Sequence, residues 1–486
     1  MIGVGREVGM SEDLLRELSH LAESVGATVH VVGGYLRDRV LRREPVDLDL
    51  LVEGSPTSFL QALSRRARFD PIVFSRREPI TYRIALDDWL IDVSACEPGG
   101  LNDELRRRDF TLNALSAALH TPDTAGQPDL VARLDRPFDP LGGLADLRAR
   151  RIRHISLAGL EDDPLRLLRA VRLTTTLDRF ELDQTTRTAI QDRAGRITSV
   201  AVERILGEME VILASPHAGA GLRMMRELGL LFPVFPELAP LDALAQNRWH
   251  RFDVLEHSLR CVEEADQLQQ GEHAIGVDHP IGIEDAEVLK WAALLHDTGK
   301  ATTSSKGSDG EIHFYGHEAV SATITEDILT RLRVGNRKSQ RIVSLVENHL
   351  RLTLIATGAP VSDKALRRVV HRMKYDTPLL CLLALADRRA GGGPDFEQRM
   401  RHLEQIAARV IDILTCDGEH VISPTPLLSG NEVMELLGLE PGPRVGSVMR
   451  WLTRLQVEEK LTRQEQAITL LKSLPESRLQ TLDDEA

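Results

Sequence analysis

Strand-forming segments are confined to one end of this chain. Over residues 1–150, helix-like and strand-like stretches alternate; from about Leu160 helical periodicity takes over and runs to the end. Glu12–Val25 reads as an amphipathic helix. Thr28–Val32 is β-branched and apolar, a strand stopped by Gly33-Gly34, and Leu36–Leu41 reads as a short helix. Val46–Val52 (VDLDLLV) alternates as a half-buried strand does, and Ile80–Leu86 and Leu90–Val93 flank an Asp87-Asp88 turn, the pattern of a hairpin. The chain is therefore α+β, with a mixed head and a helical remainder. Its 486 residues make about three domains. Loop punctuation at Pro233–Pro240, Gly271–Ile283, Ala301–Gly310 and Gly391–Pro394 places borders near 150, 240 and 395. The expected units are a head (1–150), a helical neck and body (151–240), a third domain (241–395) and a helical tail (396–486).

Composition narrows the class. Hydrophobic residues at 42% and charged residues at 27% exclude disorder throughout and a fibrous repeat. The longest apolar run, near Leu379–Ala386, is too short to span a bilayer, and Met1–Met10 lacks a signal-peptide core. Cys96, Cys261, Cys381 and Cys416 are scattered and form no CxxC pair, which fits a reducing cytoplasm. A net charge of −13 argues against a protein that coats nucleic acid, but permits a local basic groove. The first lysine is Lys290; before it every basic side chain except histidine is arginine. Arginine's planar fork suits phosphate; codon bias in the genome produces the same pattern.

Val31–Asp38 reads VVGGYLRD and Asp47–Leu50 reads DLDL. Gly33-Gly34 lets the backbone approach a bulky anion because no Cβ intervenes. The helix start that follows directs N–H groups at that anion, and Arg37 adds a fixed charge. Asp47 and Asp49, two apart on a strand, face the same side. Such a pair can hold hard divalent cations through oxygen, as two-metal phosphoryl-transfer sites require. Alone, D-x-D is common on solvated edge strands; a Gly-Gly-x-x-Arg-Asp about ten residues upstream shifts the balance. Asp92, within LIDVS on an expected strand, is either a third ligand or a solvent-facing edge residue.

Two arginine-rich segments follow. Arg106–Ala114 (RRRDFTLNA) places three arginines before an acid and an apolar helix start. Arg108 can meet phosphate while Asp109 accepts from a ribose hydroxyl; a solvated basic turn is the alternative. Asp162–Arg172 (DDPLRLLRAVR) has Pro164 at a helix start behind acidic caps. Arg166, Arg169 and Arg172 form one slowly rotating stripe. Asp163 and Arg166, one turn apart, can offer acceptor and donor to a base edge, or form an ordinary intrahelical ion pair.

These motifs, with DPLGGLADLRARRIRHI between them, occur in the order and spacing of the bacterial tRNA nucleotidyltransferase and poly(A) polymerase family (the CCA-adding class II enzymes), which the chain resembles over roughly residues 25–240. The resemblance implies a polymerase-β-like nucleotidyltransferase head followed by an all-α neck and body. It further implies addition of C and/or A to the 3′ end of tRNA from CTP and ATP, without a nucleic-acid template. Matched by position, Gly34 and Arg37, next to Gly33, look like triphosphate ligands, Asp47 and Asp49 like the Mg²⁺ ligands, and Arg108 and Asp109 like the sugar-phosphate pair. Asp163 and Arg166 pair with the incoming base beside Arg169 and Arg172, and Asp139–Leu147 is a springy element between head and neck. The chain departs from the family in Asp162, where glutamate is usual, and in Phe74–Ile84 (FSRREPITYRI), whose wording differs.

Trp291–Lys300 (WAALLHDTGK) ends an apolar helix with His296-Asp297. A buried pair of this kind needs a partner, and a metal supplies one. With His257 (DVLEHSL) upstream and Asp387 (LALADRRA) downstream, the segment resembles the HD phosphohydrolase superfamily. That likeness implies a divalent transition metal on these four residues, with His317 and His349 where two-metal members have further ligands. The acidic end, TLDDEA, differs from the basic tail of gamma-proteobacterial poly(A) polymerases. The alternatives are a poly(A) polymerase, a partial CC- or A-adding enzyme, an HD phosphohydrolase with an RNA-binding head, and a non-catalytic RNA-binding protein.

Overall fold

The computed structural model describes residues 8–45, 47–75, 79–120, 129–246, 251–271, 281–308, 310–357, 361–393 and 395–475. Residues 1–7, the 76–78 part of the divergent FSRREPITYRI stretch, most of the 271–283 loop and the acidic TLDDEA end lie outside the described residues. By packing, the chain falls into two compact units: residues 1–200 with 228–230, and residues 201–227 with 231–486.

The first unit is built on a six-stranded sheet: β1 (Val29–Val32), β2 (Asp47–Glu53), β3 (Ile72–Ser75), β4 (Thr81–Leu86), β5 (Trp89–Cys96) and β6 (Ser116–His120), in the order β3-β4-β5-β2-β1-β6. Only β2 and β5 pair in parallel; the other neighbours are antiparallel. Alternation along β2 sets its two faces. Leu48 and Leu50 are buried, while Asp47 is exposed and Asp49 half-buried. β4 and β5 form the hairpin expected over Ile80–Val93, turned through Asp87 in the left-handed region at φ 51°. The Val8–Ser24 and Thr57–Ala67 helices pack on this unit, the second burying Phe59, Leu60, Ala62 and Leu63.

The apolar segment after Asp109 is not a helix start. Thr111–Asn113 is a single 3₁₀ turn that leads into β6. Its hydrophobic residues are spent on an edge strand beside β1, and a short apolar run alone does not distinguish the two outcomes. The helix expected behind Pro164 is present as Leu165–Thr176.

Among the described residues, the regular structure of the second unit is helical apart from a two-residue pairing of 305–306 with 312–313. The Ile283–Leu295 helix is buried along its whole length from Ala286, which explains its lack of an amphipathic stripe. The tail consists of helices Phe396–Ile422, Gly430–Leu437, Pro443–Val457 and Gln464–Lys472. The last three share a core of Leu428, Val433, Val448, Leu452, Leu461, Ala467 and Leu471. The turn expected over Pro441–Gly446 is shorter than expected: Pro443 occupies the first helical turn, where its missing N–H costs nothing. Among the described residues no helix is long and apolar enough to cross a membrane, and all four cysteines are free thiols.

Candidate active site and metal centre

A cleft of about 510 Å³ opens on the first unit. One wall is acidic. Asp47 and Asp49 share a face of β2, and Asp92 lies directly opposite Asp49 on β5. The strand period therefore brings three carboxylates to one side of the sheet. Burial, then the charges of Asp49 and Asp92, pushes the Asp47 carboxyl above its ordinary value, with Arg83 and Arg172 pulling the other way. Crowded acids of this kind are relieved by a cation. The Asp92 carboxylate accepts from Arg83 through both oxygens, at 2.7 Å each.

The facing wall carries arginines 37, 107, 108, 166, 169 and 172. Gly33 explains how the walls approach. Its φ is 79°, and a Cβ there would lie 2.4 Å from Arg108 Nη1 and 2.8 Å from Asp49 Oδ2. Without it, Arg108 Nη1 comes within 3.3 Å of Asp49. Gly34 lines the cleft itself, where a Cβ would meet only Arg37 at ordinary contact distance.

Arg37 donates to both oxygens of Asp38, at 2.9 and 2.8 Å, and through Nη1 to Asn113 Oδ1 at 2.8 Å. Asn113 in turn donates to Asp109 Oδ1 at 3.0 Å, and Arg169 Nη1 reaches Asp109 Oδ2 at 3.2 Å. Asp109 is buried, which disfavours its charge; Arg169, Asn113, Arg166 and the Phe110 N–H overcome that and bring its carboxyl down to about 2. Arg166 spans the wall, donating to the Arg108 carbonyl at 3.1 Å and the Arg107 carbonyl at 2.6 Å. The arginine stripe thus docks on the RRRD segment.

The structure brings together in this cleft Gly34, Arg37, Asp47, Asp49, Asp92, Arg108, Asp109, Arg166, Arg169 and Arg172. Gly33 sits directly behind it, and Asp163 lies half-buried just before the Leu165–Thr176 helix. Sequence reasoning missed Glu104, Asn113 and Phe74, which also line the cleft. Glu104 lies on the Leu101–Arg106 helix just before the arginines, and Asn113 ends the 3₁₀ turn that follows Asp109, so both were near motifs already singled out but carried no periodic signal of their own. Burial raises the Glu104 carboxyl, against the pull of Arg108, Arg107 and Arg166. The 139–147 element is tied to the same segment. Asp146, fully buried, accepts from Thr111 Oγ1 at 2.6 Å and pairs with Arg151 and Arg153.

The second unit holds a separate cluster. His257 lies on the Val254–Gln269 helix, started by Asp253 accepting from the Glu256 N–H. Asp387 lies on the Thr377–Gly391 helix, and His296-Asp297 follows Leu295. His317 opens the His317–Arg331 helix, and His349 follows Asn348. Gly299 permits the crossing: a Cβ there would be 2.5 Å from the His317 carbonyl and 2.7 Å from the Ser321 nitrogen.

Two groups result, His257 with His296 and Asp387, and Asp297 with His317 and His349, each with ligand atoms within 4.8 Å of one another. Nδ1 of His296, His317 and His349 lies 2.9, 2.7 and 2.7 Å from the carbonyls of Ala293, Phe314 and Val346. This leaves Nε2 turned inward, as in metal sites whose second nitrogen is fixed by a backbone acceptor. His296 Nε2 and His317 Nε2 approach opposite oxygens of Asp297, at 3.1 and 3.3 Å. Lys300 Nζ adds an ion pair at 2.7 Å. Burial and the neighbouring imidazole His296 bring His349 down to about 3, a neutral ring able to donate a lone pair. His317 and His349 thus stand with the expected four.

Comparison with known proteins matches three family models: the poly A polymerase head domain over residues 29–153, a probable RNA- and SrmB-binding site of polymerase A over 179–242, and the HD domain over 254–392. An A-adding tRNA nucleotidyltransferase of Deinococcus radiodurans is 38% identical over 362 residues, 73% of this chain and 75% of that protein. A CC-adding tRNA nucleotidyltransferase of Thermus thermophilus is 32% identical over 90% of this chain and 92% of that protein. The fold is also that of the Bacillus stearothermophilus CCA-adding enzyme in complex with CTP (TM-score 0.62, 18% identity, 99% of this chain and 100% of that one). The Thermotoga maritima CCA-adding enzyme complexed with tRNA is a further match (TM-score 0.59, 18% identity, 96% of each chain). With the head model and relatives of this identity matched over most of their length, the chain belongs to the tRNA nucleotidyltransferase and poly(A) polymerase family and is a nucleotidyltransferase carrying an HD domain.

Proposed function

We propose that this chain adds C and/or A nucleotides to the 3′ end of tRNA, using CTP and ATP and no nucleic-acid template. The observation that carries the reading is the cleft in which three carboxylates face an arginine wall. Asp47, Asp49 and Asp92 would hold Mg²⁺; burial and then mutual crowding raise Asp47, which fits a bound cation. Magnesium there would neutralise charge on the reacting phosphate and acidify the attacking 3′ hydroxyl. The Gly33-Gly34 backbone, Arg37 and Arg108 bind the triphosphate, and Asp109, held ionised by Arg169, accepts from the ribose. Asp163 and Arg166 read the base edge, with Arg169 and Arg172 beside them. The tRNA hydroxyl attacks the α-phosphate and pyrophosphate leaves; the protein contributes position and charge.

Relatives named for one step, A-adding and CC-adding, favour a partial enzyme as the second reading. The functional divisions we assign are a head at 1–150, neck and body at 151–240, an HD domain at 241–395 and a tail at 396–486, in a cytoplasmic protein. For the HD domain, the convergence of four histidines and two aspartates supports a divalent transition metal and phosphohydrolase chemistry. The test is to incubate the protein with tRNAs ending at the discriminator base, at C and at CC, with each nucleoside triphosphate alone, and to sequence the products. Incorporation of C, of A or of both is expected, lost in Asp47→Ala with Asp49→Ala. Incorporation surviving in that variant overturns the metal assignment.

A further inference from the structure

Arg83 is the direct cross-strand partner of Asp92 on β4, as Asp49 is on β2. Asp49, Asp92 and Arg83 therefore form a row across three strands on one face of the sheet. Arg83 Nε and Nη2 each donate to a separate oxygen of Asp92 at 2.7 Å, a bidentate fork. Both oxygens of the third acid are thus engaged from within the protein. β3 adds a cap. Its pairing with β4 slips between Val73 and Ser75, which leaves Phe74 as the extra residue, and a bulge of this kind re-aims a side chain. The Phe74 ring lies over the Arg83 guanidinium, 3.4 Å from Cζ to the ring centroid, and lines the cleft.

We propose that Arg83 is a positioning residue that stands in for a cation: it holds Asp92 by both oxygens until a divalent ion takes one of them, with Phe74 keeping it in place. The inference rests on the metal reading of Asp47, Asp49 and Asp92 given above. An ion drawing a ligand from Asp92 must displace a guanidinium N–H or share its oxygen, so Arg83 and the ion compete. Arg83 also offsets the negative charge felt at Asp47. A purely structural Arg83 would weaken the site when removed. A competing Arg83 would tighten it for metal while costing turnover, because Asp92 loses its fixed orientation.

The test is a Mn²⁺ binding isotherm on the full chain, read from the electron paramagnetic resonance of the free ion, for wild type, Arg83→Met, Arg83→Lys and Phe74→Ala. Sites lost in Asp49→Asn are those of the head, which separates them from the HD cluster. Head sites are expected to tighten about five- to tenfold in Arg83→Met, less in Arg83→Lys and Phe74→Ala, with kcat lowered at saturating Mg²⁺. Unchanged or weaker Mn²⁺ binding in Arg83→Met with a wild-type melting profile overturns the proposal. Where Arg83→Met does not fold, the same result in Phe74→Ala overturns it. If Asp49→Asn removes no sites, the metal reading itself fails instead.

Discussion

Gly33→Ala tests how close the two walls of the site stand, with two other positive-φ glycines as references. Gly33, Gly26 and Gly99 all sit at positive φ, at 79°, 63° and 74°, but a Cβ at Gly26 or Gly99 meets nothing within 4 Å. Alanine at positive φ costs about 1–2 kcal/mol, and more at Gly33, whose ψ of −135° places it outside the left-handed helical region in a conformation open essentially to glycine alone. Only at Gly33 does the new methyl fall 2.4 Å from Arg108 Nη1 and 2.8 Å from Asp49 Oδ2. The backbone of β1 is held on both sides by β2 and β6, so the two side chains must move instead. A shift of the order of 1 Å in a group that places substrate costs about a hundredfold in rate. Gly33→Ala is therefore expected to lose about a hundredfold in kcat/KM for nucleotide incorporation, while Gly99→Ala and Gly26→Ala stay within about twofold of wild type. Urea denaturation of all three measures the larger backbone strain expected at Gly33 and confirms that the variant is folded where its activity is read. Incorporation by Gly33→Ala within twofold of Gly99→Ala would refute the claim that this glycine sets the distance between the walls.

Asp109 gives a pH-dependent expectation. Its folded pKa, about 2, lies below the ordinary 3.8, so the stabilisation is complete above pH 5 and disappears as pH falls through 2. That difference is worth about 2 kcal/mol, so Asp109→Asn should be less stable by that amount at pH 7 in urea denaturation, by half near pH 3, and by nothing below pH 2. Chelation bears on the HD cluster. A divalent ion held at 100 times its Kd stabilises its unit by about 2.7 kcal/mol, so EDTA should lower the corresponding thermal transition. Asp297→Asn should bind less metal by elemental analysis and show no response to EDTA.

Motifs that lie within one element were legible in the sequence. The two-residue period of a strand fixes the side on which Asp47 and Asp49 stand, and the helical period fixes the Arg166, Arg169 and Arg172 stripe. Features that depend on pairing between distant segments were not. Arg83 lies nine residues from Asp92 in a hairpin whose register, rather than its composition, sets the two side by side. The Phe74 bulge is an irregularity of the same pairing. The strand after Asp109 was hidden for a related reason: the five residues SAALH become β6 where β1 offers them an edge. In the HD cluster, His257, His296, Asp297 and Asp387 stood out as polar residues in apolar helices. His317 and His349 sit at helix ends, where histidine is unremarkable, and only the resemblance to two-metal HD proteins pointed to them; the structure sets Asp297 between them.

The cleft's charge balance ties these elements together. Six arginines face Asp47, Asp49, Asp92, Glu104 and Asp109, so the cleft is close to neutral and its attraction for a free triphosphate is modest. Its charges are partly segregated, however: Asp47, Asp49 and Asp92 stand on strands, arginines 37, 166, 169 and 172 on helices, and Glu104 and Asp109 beside the arginines. On the proposed function, a polyanion alone gains the arginine wall but meets repulsion from the acids, whereas a cation alone meets the reverse. Only the pair satisfies both walls, and the opposing fields that would penalise either partner then stabilise the two together. Arg83, as inferred above, fits the same logic: with no cation present, the sheet supplies one from its own strand, bound to Asp92 beside Asp49 and Asp47, until nucleotide and metal arrive.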